Sequence, residues 1–155
     1  MFIDIGGVKM DKKYQEGRNK SFPIVSPKDY FDANDFVRTD LFEDKAEKIA
    51  QSFSSDDNSK KIKNTQIRKF YDEVLRLKLK IESANNPEEK FKEILPYIKM
   101  LIPKVVYSKN KGNANEAFEQ FIESIKDINE LRKFTVFCDL FECVVAYCKE
   151  YCKDT

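Results

Sequence analysis

Apolar residues recur at Ile67, Phe70, Tyr71, Val74, Leu77 and Ile81, the spacing that lines one face of a helix. The same period marks four other stretches. Leu41, Phe42, Ala46, Ile49, Ala50 and Phe53 form an earlier stripe, with Asp40 placed as its N-cap and Glu43 as the third-position partner. Phe91, Ile94, Leu95, Ile98, Leu101 and Ile102 form a third stripe, and Phe118, Phe121, Ile122 and Ile125 a fourth. The last seam, Leu131, Phe134, Phe137, Phe141, Val144, Cys148 and Tyr151, advances by threes and fours, as a central packing helix requires. No stretch alternates with period two. The pattern predicts an all-α fold, a compact bundle of about five helices over residues 40–155.

Polar punctuation sets the expected boundaries. Ser54 to Ser59 is a run of turn-formers that predicts a flexible loop, after which Asn64 or Thr65 caps the second helix. Asn86, Pro87 and Glu89 read as N-cap, first helical residue and capping-box acid of the third. Pro96 and Pro103 each remove a helical hydrogen bond, so that helix is expected to kink or break, with the break at Pro103. Asn113 and Glu116 are placed to cap the fourth, and the last is expected to begin around Ile128. Residues 1–39 hold three of the four glycines and sustain no period, so they are expected to form a mobile or loosely draped N-terminal extension. Its apolar patches, Phe2 to Ile5 and Phe22 to Val25, are suited to docking on a neighbouring surface.

Charge then distinguishes the second helix. Lys60 to Lys80 carries eight Lys or Arg against Asp72 and Glu73, a local +6 in a chain whose net charge is +1. At about 100° per residue, Lys69, Arg76 and Lys80 share the side opposite the apolar stripe, with Thr65 close by. A second cluster, Lys99, Lys104, Lys109 and Lys111, contains no acid, whereas residues 113–155 sum to −4. One basic helix is most simply a solvated face. Two basic patches and an acidic counter-pole favour an anionic partner, or contacts between oppositely charged ends of neighbouring copies.

The chemistry of catalysis is missing from the sequence. With no histidine, Ser-His and Cys-His pairs are unavailable, and neither a P-loop nor a dinucleotide fingerprint is present. No enzyme and no cofactor is expected. Cys138, Cys143, Cys148 and Cys152 lie around one predicted helix and lack the close pairing of a zinc site, so they read as buried or half-buried free thiols in a reducing compartment. No run approaches about eighteen apolar residues, and Met1 to Gly7 lacks the features of a signal peptide, so a cytoplasmic location is expected.

Three motifs carry a family resemblance: Thr65-Gln66-Ile67-Arg68-Lys69-Phe70-Tyr71-Asp72-Glu73-Val74, Leu101-Ile102-Pro103-Lys104-Val105-Val106-Tyr107, and Phe137 to Tyr147. In that order and spacing, over roughly residues 41–151, the chain resembles the small helical subunit of the type III-A CRISPR effector, the second member of the Csm protein series. The resemblance implies a non-catalytic subunit of an antiviral ribonucleoprotein. Several copies would stack along the guide RNA and target RNA, hold sugar-phosphate backbone, and contact the large polymerase-like subunit and the backbone and capping subunits. RNA cleavage and cyclic oligoadenylate synthesis would belong to those other chains. Carried onto this sequence, the family's basic positions fall on Arg68, Lys69, Lys104 and Lys109 or Lys111. The helical wheel adds Arg76 and Lys80, and Lys61 and Lys63 complete the expected RNA-binding set. Tyr107 reads either as a stacking or hydrogen-bonding residue or as a core tyrosine with its hydroxyl at the surface. Ser108 to Gly112 departs from the family in being lysine-rich, and the first forty residues are unmatched. The alternative reading is a helical protein–protein scaffold with head-to-tail self-association and no direct role for RNA.

Overall fold

A computed structural model describes residues 22–54 and 62–152. Among them are six α-helices: α1 (Asp44–Phe53), α2 (Asn64–Glu82), α3 (Pro87–Lys99), α4 (Leu101–Asn110), α5 (Glu116–Glu123) and α6 (Leu131–Tyr151). The described residues contain no strand beyond one isolated bridge, Phe31 with Val37, so the all-α class holds. The expected third helix is split into α3 and α4. Its break lies at Met100, three residues before Pro103, which occupies the first turn of α4, where a missing N–H leaves no bond unmade. Pro96 stays within α3.

Capping follows the sequence at one site and departs from it at three, the first being α2, which already includes Asn64 and Thr65 and has Lys63 at its N-cap position. Asn86 accepts from the Glu89 N–H at 3.3 Å, with Pro87 as first helical residue. Asp40 does not cap α1. Its carboxylate takes two hydrogen bonds from Arg38, of 2.7 and 3.0 Å, and α1 begins only at Asp44. Asn115, not Asn113, caps α5: its Oδ1 accepts from the Phe118 N–H at 3.0 Å while its Nδ2 donates to the Phe53 carbonyl at 2.9 Å. Asn113 instead closes α4, donating its N–H to Ser108 O at 2.8 Å beyond Gly112. Gly112 has φ +81°, the left-handed conformation that suits glycine after a helix end.

The core is an aromatic lattice centred on α6. Phe121 lies 5.1 Å from Phe141 and 5.3 Å from Phe137, ring centroid to centroid, and Phe118 lies 5.3 Å from Phe53 and 5.2 Å from Phe70. α6 packs along both α1 and α2, α2 also against α3, and α4 against α5. Contact on two sides buries Val136, Cys138, Leu140 and Val145 as well as Phe134, Phe137, Phe141, Val144 and Cys148 of the predicted seam, whose ends Leu131 and Tyr151 are half-buried. Helix α6 starts at Leu131, three residues after the expected Ile128, which is itself buried in the turn before it.

Of the extension expected over residues 1–39, residues 22–38 lie against the bundle. Tyr30 is fully buried, Ser26 donates to Asp127 at 2.9 Å, and Arg132 grips Asp35 through contacts of 2.6 and 3.0 Å with its guanidinium 3.6 Å from the Phe31 ring centroid. These contacts come from scattered single residues, which is why no period announced them. The loop expected over Ser54 to Ser59 lies, after Ser54, outside the described residues.

Cys138, Cys148 and Cys152 are buried and Cys143 is half-buried. Burial pushes the Cys138 thiol pKa up, while the Cys148 thiol is pushed up by its hydrogen bond with Cys152 and by burial.

Candidate nucleic-acid interface

Burial of Ile67, Phe70, Val74, Leu77 and Ile81 fixes the rotation of α2. Lys69, Glu73, Arg76 and Lys80, spaced by fours and threes, are left to run down its outer side. Lys78 leaves this stripe, and its ammonium lies 3.7 Å from both Glu82 and Asp139. Within the stripe, Arg76 holds Glu73 through hydrogen bonds of 2.6 and 3.0 Å. That pairing lowers the Glu73 pKa and raises that of Arg76. Glu73 therefore tempers the positive charge at the centre of the stripe.

Beside the stripe, α4 diverges from α2 and leaves a groove of about 590 Å³. Lys69 and Lys104 stand at its rim, and Phe70, Met100, Leu101 and Tyr107 contribute apolar surface. A second groove of about 570 Å³ lies between α2 and α3, with Arg76, Lys80, Lys90, Glu93 and Tyr97 along it. The two grooves follow one another along the same side of α2 and are lined by cations from three helices.

The structure separates the predicted residues into groups. Lys63, Arg68, Lys69, Lys80 and Lys104 are exposed and have no ion-pair partner among the described residues. Lys69 and Lys104 meet at one groove, whereas Arg68, about 100° round the helix, does not line it. Arg76 is exposed but paired with Glu73. Lys109 is committed to Glu119 at 2.9 Å, a clasp between α4 and α5 that raises its pKa. Lys111 stands over the Tyr107 ring, its Nζ 4.9 Å from the centroid. Lys61 lies outside the described residues. Lys99, counted in the second basic cluster, turns inward and donates to the Ile125 and Lys126 carbonyls at 2.8 Å each, and burial lowers its pKa.

Sequence reasoning overlooked Lys90, Tyr97 and Met100. Lys90 occupies the solvent side of α3, beside the Glu93 with which it pairs at 3.2 Å, and only the packing of α3 on α2 brings it to the stripe. The reading of Tyr107 as a core residue is overturned, since 61% of it is exposed.

A family model described as Csm2 Type III-A matches residues 38–154, which include every helix from α1 to α6. The chain belongs to this family. It is thus a non-catalytic small subunit of the type III-A CRISPR effector. No curated protein and no solved structure matches it. Among the described residues, no group of three or more Cys, Asp or Glu side chains is placed to hold a metal ion, and no helix is long and apolar enough to cross a membrane.

Proposed function

We propose that the outer side of α2, with α4 beside it, holds the sugar-phosphate backbone of the guide RNA or its target within the cytoplasmic Csm effector. The observation that carries this reading is the convergence of Lys69 from α2 and Lys104 from α4 at one groove, with Lys80 further along the stripe. Ammonium and guanidinium groups neutralise phosphates and release counterions without reading base identity, which suits a subunit that must accept any target. Sequence choice then rests with base pairing between guide and target.

Several copies would stack along the RNA, the −4 of residues 113–155 in one copy facing the basic middle of the next. The ends of such a stack would meet the large polymerase-like, backbone and capping subunits.

Reversing Lys69, Arg76 and Lys80 to Glu together tests the assignment. RNA affinity should fall while the circular dichroism spectrum stays unchanged, and each lost phosphate contact should flatten the log–log salt dependence by about 0.7 to 0.9. Equal affinity of wild type and triple variant at low salt would refute the assignment of this face. Salt-sensitive self-association without any RNA affinity would favour the pure scaffold.

A further inference from the structure

Six large apolar side chains are exposed among the described residues, and three of them, Tyr97, Met100 and Tyr107, lie beside the basic stripe. Met100 and Tyr107, 48% and 61% exposed, flank the same groove, separated by two turns of helix. Phe70 and Leu101, almost wholly buried, contribute surface at its base. A site that touched phosphates alone would have no use for an apolar floor. The sugar-phosphate rail of a duplex presents no flat apolar group to fill one, because its bases are stacked on each other. An unpaired nucleotide presents both, a π-face and, within the same residue, a phosphate.

We propose that the groove between α2 and α4 takes an unpaired RNA base, with Tyr107 as the stacking surface and Lys69 and Lys104 holding the adjoining phosphates. The proposal rests on the reading of this face as the RNA interface and adds a ligand class to it, single-stranded rather than paired. Lys111 occupies one side of the Tyr107 ring, at 4.9 Å from Nζ to centroid, and a base takes the other. The cation orders the ring on the side away from the base. The volume of about 590 Å³ falls within the range of small-ligand pockets. Charge complementarity selects the occupant: an apolar cleft lined by Lys69 and Lys104 against one acid, Glu73, whose carboxylate is held by Arg76, matches an anionic aromatic ligand better than a neutral apolar peptide.

The test uses the full chain with two RNAs at low salt, a single strand carrying 2-aminopurine and the same strand in a duplex. Binding should quench the fluorophore in the single strand. Tyr107→Ala should abolish the quench and weaken single-strand binding between about five- and a hundredfold while leaving duplex binding unchanged. Tyr107→Phe should behave as wild type, and the exposure of Tyr107 lets both variants fold. If Tyr107→Ala weakens both RNAs alike, or neither, while wild type still binds with steep salt dependence, the base site is refuted and the backbone interface stands. If wild type binds neither RNA at any salt concentration, both readings fall. If light scattering shows that Tyr107→Ala abolishes self-association and leaves RNA binding intact, the groove belongs to a second copy of the chain and the base site is refuted.

Discussion

Glu73 and Arg76 are joined by two hydrogen bonds, of 2.6 and 3.0 Å, in the middle of the basic stripe of α2. Arg76 is exposed and Glu73 half-buried at the surface, so the meaning of the pair is electrostatic rather than structural: an acid holds in check a guanidinium that would otherwise face the RNA. Glu73→Gln should therefore release Arg76 and steepen the salt dependence of RNA binding by about 0.7 to 0.9. Filter binding over a salt series measures the slope. An unchanged slope would show that Glu73 does not keep Arg76 from a phosphate.

Asn115 joins the start of α5 to the end of α1, and is only 5% exposed. Replacing it with Ala removes an N-cap and strips the Phe53 carbonyl of a donor inside the protein, at a combined cost of about 2 to 3 kcal/mol in urea unfolding. Asn113→Ala, at the site where the sequence suggested the cap, should change stability by less than about 0.5 kcal/mol, because its backbone and not its side chain closes α4.

Stability should be level from about pH 5 to 8, since the chain has no histidine to titrate there. Above that range the buried thiols decide the outcome. Burial raises the folded pKa of Cys138, while the unfolded chain releases thiol protons near pH 8.5. The contribution is thus fully present below about pH 8.5 and is lost as pH rises, by about 1.4 kcal/mol per pH unit for each thiol still protonated in the fold. Cys138→Ala should flatten this alkaline limb by one proton, as read from urea titrations in reducing buffer at pH 8 to 10.

Tyr30 is fully buried and its hydroxyl has no hydrogen-bond partner among the described residues. Its pKa is raised by burial and by the nearby Cys138. Tyr30→Phe keeps the ring and removes the unpaired oxygen, so the variant should be more stable by about 1 kcal/mol, within the known cost of an orphaned buried hydroxyl. A loss of stability in thermal unfolding would show that the hydroxyl has a partner in solution.

The sequence alone determined the helices, because each must bury one face and the 3.6-residue period records which: of the predicted stripe, Ile67, Phe70, Val74, Leu77 and Ile81 are the buried face of α2 and Tyr71 is half-buried beside them. It also located the basic stripe, since a helix rotated to bury one side must expose the other, and the motifs around Arg68, Pro103 and Phe141 were enough to suggest the family. What it left undecided depends on partners distant in the chain. Asn113 reads as the cap of α5, and only the Phe53 carbonyl, brought beside Asn115, gives that place to Asn115. Lys99, Lys104 and Lys109 read alike as lysines in an acid-free run, yet the fold turns the first onto backbone carbonyls, leaves the second at a groove and gives the third to Glu119. Residues 22–38 bear no periodic signal, because their anchors, Tyr30, Ser26 and Asp35, each meet a different part of the bundle. The groove beside Tyr107 is lined by Lys69, Phe70 and Glu73 of α2 together with residues of α4 far from them in the chain. Local sequence can place charge on a face, but the direction of a helix after a break is decided by what its buried residues pack against.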